Sequence, residues 1–117
     1  MTVAEAAKRI EGLVVTAVPD AAGRQVLGGY ASDLLSDVMA NSREGDLWVT
    51  MQKHVNVVAV AQLNGLAGII LVNGRQPETD TVRRAEEEHI PLISTPLQAF
   101  EVAGILHGLG IRGRRTA

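Results

Sequence analysis

Cysteine is absent from the 117 residues, which excludes disulfides, thiolate nucleophiles and cysteine-ligated zinc and suits a reducing compartment. Aromatic residues are scarce as well: Tyr30, Trp48 and Phe100 make up the whole 3%. Bases therefore have no stacking platform, and the core has to be built from Val, Leu, Ile and Ala. Neither sign of charge dominates, since 11 Lys and Arg stand against 13 Asp and Glu for a formal net charge of −2. No global field draws in a polyanion or an anionic bilayer, so nucleic acid and membranes are not expected as partners. The longest apolar run, Leu66 to Val72, is far short of the roughly 20 residues that span a bilayer. Residues 1–10 carry Glu5, Lys8 and Arg9 where a signal peptide would need an apolar centre, so a cytoplasmic location is expected.

With 46% apolar and 21% charged residues, the chain has ordinary globular composition and the size of one domain with one core. That domain is expected over 1–110. The segment 111–117, with Arg112, Arg114 and Arg115 and no evident apolar partner, is expected to be a disordered basic tail.

Thr2 and Glu5 form a T-x-x-E capping box ahead of Val3, Ala6, Ala7 and Ile10, which predicts a first helix ending at Gly12. The β-branched run Leu13 to Val18 reads as a strand, Pro19 to Gly23 as a loop, and Gln25 to Leu27 as a short strand. Ser32 is placed to cap a helix whose face is Leu34, Leu35, Val38 and Met39. Strands Asp46 to Thr50, Gly68 to Val72 and Ile90 to Ser94 then alternate with helices His54 to Leu63, Thr79 to Glu88 and Pro96 to Leu109. Apolar strands separated by helices require crossover connections. The expected fold is α/β, three layers α/β/α, with a mostly parallel sheet of about five strands in which those three are neighbours. The helix His54 to Leu63 is apolar all round, with Val57, Val58 and Ala61 on one side and Val55, Ala59 and Leu63 opposite. A helix of that kind needs two covers, and a homodimer contact would supply the second.

Parallel sheets bind ligands beyond the carboxyl ends of their strands, where helix N-termini point inward. That rule selects Thr50, Gln52 and Lys53 after one strand, Asn73, Gly74 and Arg75 after the next, and Ser94 and Thr95 after the last. These eight are the candidate ligand-binding residues, and Arg75, Lys53 and His54 favour a small anion such as a nucleotide. Asn73-Gly74 is also a tight-turn signal that calls for positive φ. Gly28-Gly29 completes neither G-x-G-x-x-G nor G-x-x-x-x-G-K-[ST], and no nucleotide-enzyme motif is expected. His54, His89 and His107 fall in different elements, the first two at opposite sheet edges, so no metal site is expected. Asp33 and Asp37, spaced i, i+4, read as solvated helix surface. With no nucleophile elbow and no phosphate loop, neither catalytic residues nor cofactors are expected, and the protein is not expected to be an enzyme.

Four segments together, Ser32 to Met39, Gly45 to Thr50, Gly68 to Gly74 and Ile90 to Thr95, resemble the DRTGG domain in order and spacing. The resemblance runs from about Leu13 to Leu109. Such domains are similar to the N-terminal domain of HPr kinase/phosphorylase and occur beside CBS domains in a regulated pyrophosphatase and beside phosphotransacetylase. The resemblance implies a regulatory or assembly module of a divergent, stand-alone kind. Where the family has Asp-Arg this chain has Gln52-Lys53, and where it has Thr-Gly-Gly this chain has Asn73-Gly74-Arg75. The expected function is a non-enzymatic regulatory or ligand-binding module sensing a nucleotide or other small anion. The alternative is an adaptor that docks on a larger partner protein, such as a redox or hydrogenase-associated complex.

Overall fold

The computed structural model describes residues 1–113. Its strands are β1 (Leu13–Val14), β2 (Gly28–Ala31), β3 (Asp46–Thr50), β4 (Gly68–Leu71) and β5 (Leu92–Ser94), and its helices are α1 (Val3–Arg9), α2 (Pro19–Ala22), α3 (Leu35–Asn41), α4 (Asn56–Asn64), α5 (Thr79–Glu87) and α6 (Ala99–Gly108). One sheet runs in the order β1-β5-β4-β3-β2. β2 to β5 pair parallel, and β1 joins β5 antiparallel at the edge.

Strands β2 to β5 step across the sheet in one direction. Parallel crossovers are right-handed in about 98% of cases, so crossovers that advance the same way put their helices on the same face. Accordingly α3, α4 and α5 share one layer, where Val38, Val57, Val58, Val60, Ala61 and Ala85 pack on Trp48, Ile69, Leu71 and Leu92. The other face falls to the helices outside the crossovers. From α1 and α6, Val3, Ala6, Ile10, Val102 and Leu106 cover Leu47, Val49, Ile70 and Ile93. Because strand side chains alternate between faces, sealing both faces buries every residue of β3, β4 and β5. Among the described residues no helix is long and apolar enough to cross a membrane.

The three-layer α/β architecture and the parallel neighbours β3, β4 and β5 agree with expectation, while several boundaries move. The first strand is only Leu13–Val14. The ladder ends because the Thr16 hydroxyl, not a backbone carbonyl, accepts the Leu92 amide at 3.1 Å. Pro19–Ala22, read as loop, is a helical turn with Pro at its start. The second strand is Gly28–Ala31, not Gln25–Leu27: the Leu27 amide is committed to the Gly45 carbonyl at 2.9 Å, and register with β3 begins at Gly28. Ser32 caps no helix; its Oγ accepts from the Leu34 amide at 3.2 Å, turning the chain two residues before α3. Of the face expected for that helix, Val38 is buried, whereas Leu34 and Met39 are exposed. The helices expected from His54 and Pro96 start at Asn56 and Ala99.

Gly12 is required for close approach: a Cβ there would lie 2.6 Å from Ile93 Cγ2. At the other end of the chain, Ile111 packs against the α1/α6 core, and the Gly29 amide donates to the Arg112 carbonyl at 3.2 Å. The expected disordered tail therefore has an apolar partner at its first residue, and the rest of that expectation, 114–117, lies outside the described residues.

Candidate functional site

The carboxyl ends of β2 to β5 do bring the expected segments to one edge, where four loops meet. The structure ties them together by a hydrogen-bond set that starts from a residue the sequence reading treated as solvated surface. Asp33 lies before α3, not on it, so it shares no helix face with Asp37. Its Oδ1 accepts from Thr50 Oγ1 at 2.8 Å and from the Met51 amide at 2.7 Å, while its carbonyl accepts from Gln52 Nε2 at 3.1 Å. The Thr50 oxygen in turn accepts from the Gln52 amide at 3.1 Å. One aspartate at the end of β2 thus fixes the exit of β3. The only hint in the sequence was an Asp two residues past a strand end, a common turn signal.

The neighbouring loops are fastened as firmly. Asn73 and Gly74 both have positive φ, 60° and 67°, as the turn signal demanded. Their amides donate to the Leu97 and Thr95 carbonyls, each at 2.8 Å, so the β4–α5 and β5–α6 loops are zipped together. Ser94 Oγ donates to the Arg75 carbonyl at 3.0 Å and accepts from Gln76 Nε2 at 3.1 Å. Thr95 Oγ1 points to the other face and donates to the Ile10 carbonyl at 2.7 Å, joining β5 to α1. Lys53 holds the next loop through its carbonyl, which accepts from Thr81 Oγ1 at 2.8 Å and the Glu78 amide at 3.3 Å.

The eight candidates therefore divide. Thr50, Ser94 and Thr95 are buried with their hydroxyls engaged inside the protein, and Gln52 is held by Asp33. The Asn73-Gly74 turn is exposed at the edge, and the side chains of Lys53 and Arg75 have no carboxylate within ion-pair distance among the described residues. His54 meets Glu78 at 3.0 Å, both partly exposed. Beside this cluster, a cleft of about 240 Å³ is lined by Ser32, Asp33, Thr50, Met51, Val72 and Ala99.

Helix ends complete the edge. α4, α5 and α6 all begin there, and none has a side-chain cap on its first turn. α1, which begins at the opposite edge, carries the full Thr2–Glu5 capping box. In α4 the Val57 and Val58 amides donate to the His54 and Val55 carbonyls at 3.1 and 3.0 Å, so the uncapped first-turn amides of α5 and α6 are the ones that concentrate positive potential where the parallel strands end.

On the α3 side of the sheet, Tyr30 Oη donates to Asp37 Oδ2 at 2.9 Å. Hydrogen bonds from Ser32 and from Tyr30 hold the Asp37 carboxyl below its ordinary range. The same bond, with burial and the nearby charge, raises the Tyr30 hydroxyl. His54, His89 and His107 stay apart, and no group of metal-ligating side chains gathers among the described residues.

A G-x-G-x-x-G spacing does occur, at Gly108, Gly110 and Gly113, contrary to the expectation that no such motif is present. A dinucleotide loop joins a strand to the start of a helix, whereas this stretch closes α6, with Gly110 at φ 96° ending the turn. It has the spacing without the geometry.

The family model of the DRTGG domain matches residues 7–109. This chain belongs to the DRTGG domain family. No functionally curated protein matches it in sequence. Among solved structures, this DRTGG domain is similar to the CBS and DRTGG domains of the regulatory region of Clostridium perfringens pyrophosphatase, crystallised with its activator diadenosine tetraphosphate. The likeness has a TM-score of 0.66 at 14% identity, over 89% of this chain and 48% of that one. It establishes a shared fold, and the chain spans about half of the neighbour's length.

Proposed function

We propose that this DRTGG domain is a non-enzymatic regulatory module that binds a small anionic ligand, a nucleotide or similar phosphate compound, at the carboxyl edge of its sheet. The observation that carries the reading is the convergence of two helix N-termini without side-chain caps, those of α5 and α6, on the loops that bear Lys53 and Arg75. Oriented amides and unpaired cations are what a phosphate seeks. Lys53, Arg75 and the Asn73-Gly74 turn meet the ligand, and Thr50, Gln52, Ser94 and Thr95 hold the loops that present them. The regulatory setting of the structural neighbour supports the same reading, and the unit is proposed to act as a homodimer.

Thermal melting against a panel of nucleotides, dinucleoside polyphosphates and inorganic phosphate tests it. A ligand at 100 times its dissociation constant stabilises by about 2.7 kcal/mol, well within detection. Arg75→Ala should then weaken binding by roughly 1.5–3 kcal/mol. A flat panel, or equal affinity in Arg75→Ala, refutes the site. A flat panel would favour a second reading, an adaptor docking on a larger enzyme through the exposed outer face of α4, where Val55 is 39% and Leu63 69% exposed.

A further inference from the structure

Phe100 is the only phenylalanine in the chain and, at 81% exposed, the most exposed large apolar side chain among the described residues. It projects from α6 on the face that also carries Ala103, Gly104 and His107, at helical spacings of three, four and seven. A Cβ on Gly104 or Gly108 would meet nothing within 4 Å, so another helix can come close to this backbone. Beside that face, between α6 and the edge strand β2, lies a groove of about 130 Å³ lined by Ala31, Val49, Ala103, Leu106 and Ile111. An apolar cavity of about 150 Å³ holds one benzene ring. The groove is thus of the size and chemistry of a phenyl side chain, and this chain's own phenyl stands outside it.

We propose that a second copy of this chain docks here, α6 against α6 antiparallel about a two-fold axis, each Phe100 entering the other's groove. With the axis between Ala103 and Gly104, Phe100 of one protomer comes level with His107 of its partner, beside the groove. The arrangement is self-complementary, as a two-fold contact must be. Charge complements shape: exposed Glu101 flanks the knob, while His107 and Arg112 line the groove. The Arg112 guanidinium donates only to the His107 and Ile111 carbonyls among the described residues. This pairing rests on the homodimer in the proposed function and moves its contact from the outer face of α4 to α6.

Sedimentation of the full chain, from about 1 μM to about 1 mM, should show a reversible monomer–dimer equilibrium. Phe100→Ala removes two symmetric contacts per dimer and, at about tenfold each, should weaken association about a hundredfold, with the melting temperature of the monomer unchanged. Glu101→Arg and Arg112→Glu should each weaken the dimer, and their combination should restore it. Ala59→Glu, on the outer face of α4, should leave it intact. A wild type that stays monomeric, a Phe100→Ala dimer as tight as wild type, a charge swap that does not recover, or a monomeric Ala59→Glu overturns the proposal. Ligand-induced stabilisation measured on Phe100→Ala reads the carboxyl-edge site separately, so failure of the dimer and failure of the ligand site are told apart.

Discussion

Replacing Asp33 by Ala tests whether the exit of β3 is held from β2. The substitution removes the acceptor of the Thr50 hydroxyl, at 2.8 Å, and of the Met51 amide, at 2.7 Å. Their costs differ because their surroundings do. Thr50 is 2% exposed, so its O–H is left without a partner in a dry site, which costs about 1–3 kcal/mol. Met51 is 39% exposed, so water replaces the carboxylate at its amide and adds only about 0.5 kcal/mol. The expected destabilisation is about 2–3 kcal/mol. At a urea m-value of about 1–3 kcal/mol/M, the midpoint should fall by roughly 0.7–3 M with the slope unchanged. Thr50→Val removes the stranded donor, so Asp33→Ala should cost at least about 1 kcal/mol less in that background. A midpoint shift equivalent to less than about 0.5 kcal/mol, or additive effects in the double variant, refutes this account.

Three further outcomes follow from the packing and hydrogen bonding. Val58 is fully buried and Ala59 is exposed, so Val58→Glu should destabilise by more than about 4 kcal/mol while Ala59→Glu changes the thermal melt by no more than about 0.5 kcal/mol. Gly12→Ala forces a Cβ to within 2.6 Å of Ile93 Cγ2 and should cost about 1–3 kcal/mol; Gly74→Ala, with open space but φ of 67°, should cost only about 1 kcal/mol, both read from urea midpoints. Asp37 is lowered and Tyr30 raised from ordinary values of 3.8 and 10.0, so the Asp37 contribution to stability is present above the first and lost as pH falls through its folded value, and the Tyr30 contribution is present below the second and lost as pH rises through its folded value. Tyr30→Phe should raise the Asp37 titration midpoint seen by NMR and shrink the acid-side loss; an unchanged midpoint would show that the bond does not couple the two groups.

Periodicity and composition determined a good deal by themselves. Short apolar runs at Leu47 to Val49 and Ile69 to Leu71, alternating with helical segments, read as strands covered on both faces, which calls for parallel pairing through helices. The Asn73-Gly74 turn and the Thr2–Glu5 cap are equally local, because their geometry is written in adjacent residues. Tertiary structure decided the rest. β2 is placed by its register against β3, so Gly28–Ala31 is a strand although three of its residues, Gly28, Gly29 and Ala31, have little strand propensity. The direction of winding put α3, α4 and α5 on one face and left α1 and α6 to cover the other. That choice buries Val58 and exposes Ala59 on a helix whose sequence is apolar all round. It also leaves Phe100 outside beside an apolar groove. Asp33 and Thr50, 17 residues apart, become partners only when two strands lie side by side. Hydrogen bonds across such separations depend on chain topology, which no local pattern of residues encodes.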